Sequence, residues 1–137
     1  MTEQQNSTSG NQCFVCGPDN PHGLQIKFRI EDGKCRAEYT PPEHYCGFTG
    51  ITHGGILYSL LDDVMANWLY LQGESAYTGR CEVRYREPAA TGVTYRLEGE
   101  QVRRRGRMAD MQGRILHPDD GRVIVEAEAR FIVVGEP

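Results

Sequence analysis

Thr52–Leu71 reads THGGILYSLLDDVMANWLYL. A Gly-Gly pair opens it, and the stretch is expected to form one long helix running to about Leu71 and stopping near Gly73. On a helical wheel Leu57, Leu60, Leu61, Val64, Trp68 and Leu71 make one broad apolar stripe. Ser59, Asp63 and Asn67 recur at i, i+4 and i+8 as a polar stripe, expected on the solvent side. Asp63 is read as an ordinary exposed acid. Asp62 belongs to neither stripe, and its wheel neighbours are Tyr58, Met65, Ala66 and Leu69. A carboxylate so placed either reaches solvent over a thin apolar patch or is covered by a second surface. If covered, it loses hydration and its pKa rises, the condition that suits a general base.

Strand patterns flank this helix. In Leu24–Glu31, Leu24, Ile26, Phe28 and Ile30 alternate with polar residues, and Asp32-Gly33 is a hairpin turn signal. Lys34–Thr40 alternates again until Pro41-Pro42. Pro41–Thr52 is a loop with Gly47 and Gly50. After the helix, Tyr77–Arg86, Val93–Val102, Arg107–His117 and Arg122–Val134 read as strands. Arg105-Gly106 and Pro118-Asp119-Asp120-Gly121 mark turns between them. The order is two strands, one long helix, then four strands. Alternation of this kind belongs to a mainly antiparallel sheet, and the simplest packing lays the single helix across its inner face, an α+β arrangement.

The bulk properties narrow the classes. A chain of 137 residues holds one core. A net charge of -4 gives no general pull toward nucleic acid or anionic membrane. No stretch approaches the roughly 20 apolar residues of a membrane span. The start, MTEQQNSTSGNQ, is polar with no apolar run behind it. It is expected to be a disordered tail over residues 1–12, with no signal peptide, a single domain over 13–137 and a cytoplasmic location. The five cysteines are an odd number without a secretory signal, so reduced thiols are expected rather than a disulfide framework. Cys13-x2-Cys16 has zinc-knuckle spacing, which His22, Cys35, His44 or Cys46 would have to complete. No second tight pair exists, and no metal is expected. No βαβ unit surrounds the pair, so a thioredoxin-like role is not expected either.

The order of elements together with HGG-x6-D (His53, Gly54, Gly55, Asp62) resembles the hot-dog fold thioesterases of the phenylacetyl-CoA type. The segment CFVCGPDNPHGL (Cys13–Leu24) is similar to the opening of one branch of that superfamily, and the resemblance runs from about Cys13 to Val134. It implies an antiparallel sheet wrapped around one long central helix, with protomers joined as a homodimer or a dimer of dimers. It also implies hydrolysis of acyl-CoA thioesters, with coenzyme A present only as part of the substrate and no separate cofactor. Asp62 takes the place of the catalytic acid. Gly54 takes that of the helix-start glycine whose N–H polarises the thioester carbonyl, with Gly55 beside it. Thr78, ten residues before Pro88, matches a Ser/Thr near the partner subunit's acid that holds the water. Some relatives carry an Asn or Gln six or seven positions before the motif His; here those positions are Gly47 and Cys46.

Each candidate has a plainer reading. Gly54-Gly55 presents free amides and the positive end of a helix dipole, an oxyanion site, or else a tight turn into a helix. Asp62 two turns further along the helix favours the first. His53 either caps the helix start or transfers a proton. Thr78 is either a water-holding group or an ordinary strand threonine. Arg103, Arg104, Arg105 and Arg107 crowd one hairpin of an acidic protein. They either bind coenzyme A phosphates or guard a sheet edge. Two other functions stay open: a hot-dog hydratase or dehydratase, and an acyl-CoA-binding protein without turnover. No nucleic acid or membrane partner is expected.

Overall fold

The computed structural model describes residues 10–135. The expected tail falls largely on residues 1–9, outside the described residues. Residues 10–12 form a turn in which Cys13 N–H donates to Gly10 O at 3.1 Å.

Six strands and one long helix follow in the expected order: β1 (Arg29–Glu31), β2 (Lys34–Tyr39), α1 (Gly54–Tyr70), β3 (Ser75–Tyr85), β4 (Tyr95–Arg105), β5 (Met108–Leu116) and β6 (Val123–Gly135). The strands form one antiparallel sheet in the order β1-β2-β4-β5-β6-β3. This is the antiparallel sheet and single helix that the pattern implied, and the hot-dog fold that the resemblance implied. Among the described residues no helix is long and apolar enough to cross a membrane.

The turn between β1 and β2 is set by Asp32 (φ 54°) and Gly33 (φ 78°), both left-handed as a two-residue hairpin of the primed type requires. The same conformation at Gln25 (φ 54°) shortens the first strand. Residues 24–28 were expected to join it. Instead Leu24 N–H and Ile26 N–H donate to Phe14 O and Val15 O, so this segment pairs with the N-terminal loop.

α1 buries Leu57, Leu60, Leu61, Val64, Met65 and Leu69 against the sheet. Met65 and Leu69 replace Trp68 and Leu71 of the expected stripe. Trp68 is half-buried with its indole N–H on Gly33 O at 2.9 Å, and Leu71 is exposed. The helix can lie close because the strands beneath it carry small residues in register. Cys35 pairs with Gly99, Gly99 with Gly113, and Gly113 with Ala127. A Cβ on Gly99 would stand 2.8 Å from Val64 O, a backbone atom that cannot yield without moving the helix. Gly99→Ala is therefore expected to destabilise the fold by about 1–3 kcal/mol, the usual penalty of overpacking. Urea unfolding measures this, and an unchanged midpoint would contradict this seat for the helix.

The outer face carries alternating charge. Arg36 bonds Glu98, Glu98 bonds Arg114, and Arg86 bonds Glu126. β3 closes one end of the sheet, and its far edge has no strand beside it among the described residues.

Candidate functional site

Asp62 lies on α1 where β3 passes over the helix. It is half-buried, and Thr78 Oγ1 donates to Asp62 Oδ1 at 2.6 Å. Among the described residues nothing donates to Asp62 Oδ2, so one oxygen is held and the other is open. Thr78 was expected near the acid of a partner subunit; it is bonded to the acid of its own chain. The cause is a bulge. The pairing of β3 with β6 shifts register between Thr78 and Arg80, leaving Gly79 as the extra residue. Were the bulge absent and the strand to alternate regularly through Thr78–Cys81, Thr78 would face opposite to Cys81, Val83 and Tyr85. With it, Thr78 reaches Asp62, Tyr58 Oη donates to Cys81 O at 3.4 Å, and Tyr85 Oη donates to Gly54 O at 2.9 Å. A glycine inside a strand pattern is the sequence signal for such a bulge.

His53 is the N-cap of α1. Its Nδ1 accepts from Gly55 N–H at 2.8 Å, so the neutral ring bears its proton on Nε2. Gly55 N–H is thus already engaged, and the pair of free amides expected at the helix start becomes one. Gly54 N–H, at the first helical position, has no acceptor among the described residues. It opens on a cleft of about 310 Å³ lined by Ile51, Leu57, Tyr85 and Pro88. Eight residues of helix separate Gly54 from Asp62, about 12 Å along the axis. One chain therefore cannot bring this acid and this amide onto the same bond.

Of the four hairpin arginines, Arg104 is taken. Its guanidinium makes a fork with Glu74 at 2.6 and 2.9 Å and also donates to Gly106 O. Arg103, Arg105 and Arg107 are exposed and form no ion pair among the described residues. Arg104, Ala109, Phe131 and Thr78 form one row across the sheet. The hairpin thus stands at Thr78's end of the sheet, about 14 Å away across three strand spacings.

A second cluster was not foreseen. Asp63 and Asn67, expected to face solvent, are covered by the Cys13–Cys16 loop. Cys13 Sγ lies 3.6 Å from Asp63 Oδ1, and Asn67 Nδ2 donates to Asp63 Oδ2 at 3.1 Å. Burial pushes the Asp63 carboxyl up to about 7, with the Cys13 charge adding to it. The hydrogen bond between the two thiols lowers Cys13 and raises Cys16. No helix periodicity could have shown this, because the covering loop lies 50 residues away in sequence. A cleft of about 740 Å³, lined by Cys13, Cys16, Phe28, Asp63, Asn67 and Tyr77 among others, opens beside the cluster.

The sequence profile of the thioesterase superfamily matches residues 49–124, which contain all of α1, β3, β4 and β5. A thioesterase superfamily protein of known structure shares 28% identity at a TM-score of 0.82, over 89% of this chain and 60% of that one. The chain thus spans 60% of that relative's length. A hypothetical thioesterase protein from Streptococcus pneumoniae TIGR4, solved with coenzyme A, shares 20% identity at a TM-score of 0.74, over 81% of this chain and 87% of that one. Variants of the Streptococcus protein with one Thr or one Asp changed to Ala have also been solved. A phenylacetic acid degradation-related protein from Ralstonia eutropha JMP134 shares 25% identity at a TM-score of 0.70, over 80% of this chain and 86% of that one. No curated protein sequence matches the chain.

Proposed function

The chain belongs to the thioesterase superfamily, and from that premise we propose that it hydrolyses acyl-CoA thioesters to the free acid and coenzyme A. The observation that carries this reading is Asp62, fixed through one oxygen by Thr78 and open at the other. The changed Asp and Thr of the Streptococcus protein stand 16 residues apart, as Asp62 and Thr78 do here. The binding of coenzyme A in that same protein supports the substrate class.

In this reading the thioester carbonyl sits on Gly54 N–H, at the positive end of the α1 dipole. The amide stabilises the negative charge that develops on the carbonyl oxygen. Asp62 Oδ2 takes a proton from a water that attacks the carbonyl carbon; the C–S bond breaks and coenzyme A leaves as the thiol. Direct attack by the carboxylate would give a mixed anhydride, which water then opens to the same products. Thr78 donates to Asp62 and keeps its own lone pairs for the water. The chemistry draws on these side chains and one amide, without a cofactor. Because about 12 Å of helix separates Asp62 from Gly54 in one chain, the site needs Gly54 of the partner subunit. The long unpaired edge of β3 supplies the place for two sheets to join, since such edges are normally covered. The unit is then a homodimer, or a dimer of dimers, with Arg103, Arg105 and Arg107 available to coenzyme A phosphates.

Thr78→Val is expected to lower kcat about 10- to 100-fold, the loss of one hydrogen bond to a charged group. Steady-state kinetics should show KM little changed, whereas a fall in kcat/KM carried by KM alone would place Thr78 in binding only. The test of the function is thioester hydrolysis over a panel of aryl- and alkyl-CoA esters, phenylacetyl-CoA included. Release of free coenzyme A supports the proposal. Hydration of an enoyl-CoA without thiol release, or binding without turnover, would replace it with one of the two other functions.

A further inference from the structure

We infer that Cys13, Cys16 and Asp63 form a zinc site that clamps the N-terminal loop onto α1, with a fourth coordination position open to the adjacent cleft. It stands apart from thioester hydrolysis and does not depend on it.

The first ground is the donor set. One ligand atom from each of these three residues lies within 4.8 Å of the other two, and among the described residues this is the one such group of three. A tetrahedral zinc ion, with Zn–S of about 2.3 Å and Zn–O of about 2.0–2.2 Å, holds its sulfur and oxygen ligands about 3.5 Å apart. Cys13 Sγ and Asp63 Oδ1 are 3.6 Å apart. Two soft sulfurs and a single carboxylate suit zinc rather than magnesium or calcium, which take oxygen ligands.

The second ground is the shape of the loop. Val15 N–H and Cys16 N–H both point at Cys13 Sγ, at 3.3 and 3.4 Å. Two convergent amides stabilise a sulfur that carries charge. Gly17 N–H then donates to Cys13 O at 2.9 Å and closes the turn. A Cβ on Gly17 would lie 2.4 Å from Cys13 N, and one on Gly23 would lie 2.5 Å from Phe14 O. The glycines of CFVCGPDNPHGL are therefore required by the close folding that presents both sulfurs to α1. Asn67 completes the surroundings, donating to Asp63 Oδ2 at 3.1 Å and lying 3.7 Å from Cys16 Sγ. Such contacts to ligand atoms orient them for a metal.

The sequence spacing pointed to His22, Cys35, His44 or Cys46 as the completing ligand, and the fold supplies Asp63 instead. With three protein ligands the ion keeps one position for water or an outside ligand, as open zinc sites do. Cys13, Cys16 and Asp63 all line the cleft of about 740 Å³, the route by which an outside ligand would reach that position.

The test uses the whole chain, stripped with a chelator and titrated with Co(II), then with Zn(II). The expected result is one ion per chain, with the charge-transfer absorption of two thiolates and the visible bands of a tetrahedral ion. Zn(II) should displace the cobalt, raise the Tm, and protect Cys13 and Cys16, but not Cys46 or Cys81, from alkylation mapped by peptide. Cys16→Ser should weaken zinc binding by more than about 100-fold, beyond what loss of a supporting partner brings. Asp63→Asn should keep the charge-transfer bands while shifting the visible ones. Absence of the charge-transfer band in the unaltered folded chain overturns the inference. So does protection of other cysteines, or retention of the band in the Cys13→Ser/Cys16→Ser variant.

Discussion

Asp62→Asn is expected to lower kcat by about 10²- to 10⁴-fold, the usual worth of a positioned general base, while affinity for coenzyme A changes by less than about threefold, under the 1.4 kcal/mol that a factor of ten represents. An amide neither takes a proton from water nor attacks a carbonyl, so both routes at this residue stop. The substitution is nearly isosteric, and its amide oxygen can still accept the hydrogen bond that Thr78 Oγ1 makes at 2.6 Å. The fold should therefore survive. The Asp62 charge also helps push the neighbouring Asp63 carboxyl upward, after burial and the Cys13 charge. Its removal relieves repulsion rather than creating it. Turnover is best followed by loss of the thioester itself, because the chain has five cysteines of its own that a thiol reagent would count. Coenzyme A binding is read by calorimetry. A variant that hydrolyses at the original rate would remove Asp62 from the chemistry.

The second large effect is expected at Gly54, whose backbone N–H is the oxyanion donor of the proposed mechanism. Gly54→Pro removes that N–H and should lower kcat by about 10²- to 10³-fold, the loss seen when one oxyanion donor is deleted. The position tolerates it. Gly54 is the first residue of α1, where proline is favoured because its missing N–H serves no helical bond. His53 before it is extended, at φ -60° and ψ 136°, as a residue preceding proline must be. Gly54→Ala is the control. Its Cβ would meet the Tyr85 ring at 3.6 Å, an ordinary contact, and its N–H remains. Alanine should therefore keep most of the rate that proline loses, with far-ultraviolet circular dichroism unchanged in both. Equal losses would mean that the cleft beside Gly54 matters and its amide does not.

Periodicity was enough for the element order. Six amphipathic strands and one apolar helix leave little freedom, and the largest departure is at residues 24–28, through the left-handed Gln25 and the amide bonds to Phe14 and Val15. Periodicity failed where distant segments decide what covers a face. Asp63 and Asn67 read as a solvated stripe because the Cys13–Cys16 loop that buries them is remote in sequence. Trp68 and Leu71 read as core, whereas Met65 and Leu69 point into the sheet, since the apolar arc is wide and its centre depends on where Gly99 and Gly113 let the helix settle. At the site, HGG marked the helix start, but the division of labour within it did not show. His53 uses Gly55 N–H as its capping partner and leaves Gly54 alone. Spacing did not pair Thr78 with Asp62 either; the resemblance placed it near an acid of the partner subunit, and the bulge at Gly79 brings it to Asp62 of its own chain.

The central claim is that one subunit's acid works with the other subunit's amide. Mixing Asp62→Asn with Gly54→Pro, after reversible dissociation, tests it most directly. In a mixed pair one of the two sites joins an intact Asp62 to an intact Gly54, while the other carries both changes. Two inactive proteins should therefore regain about a quarter of the unaltered rate when their chains assort at random in such a two-fold pair. A mixture that exchanges subunits and stays inactive would contradict the account.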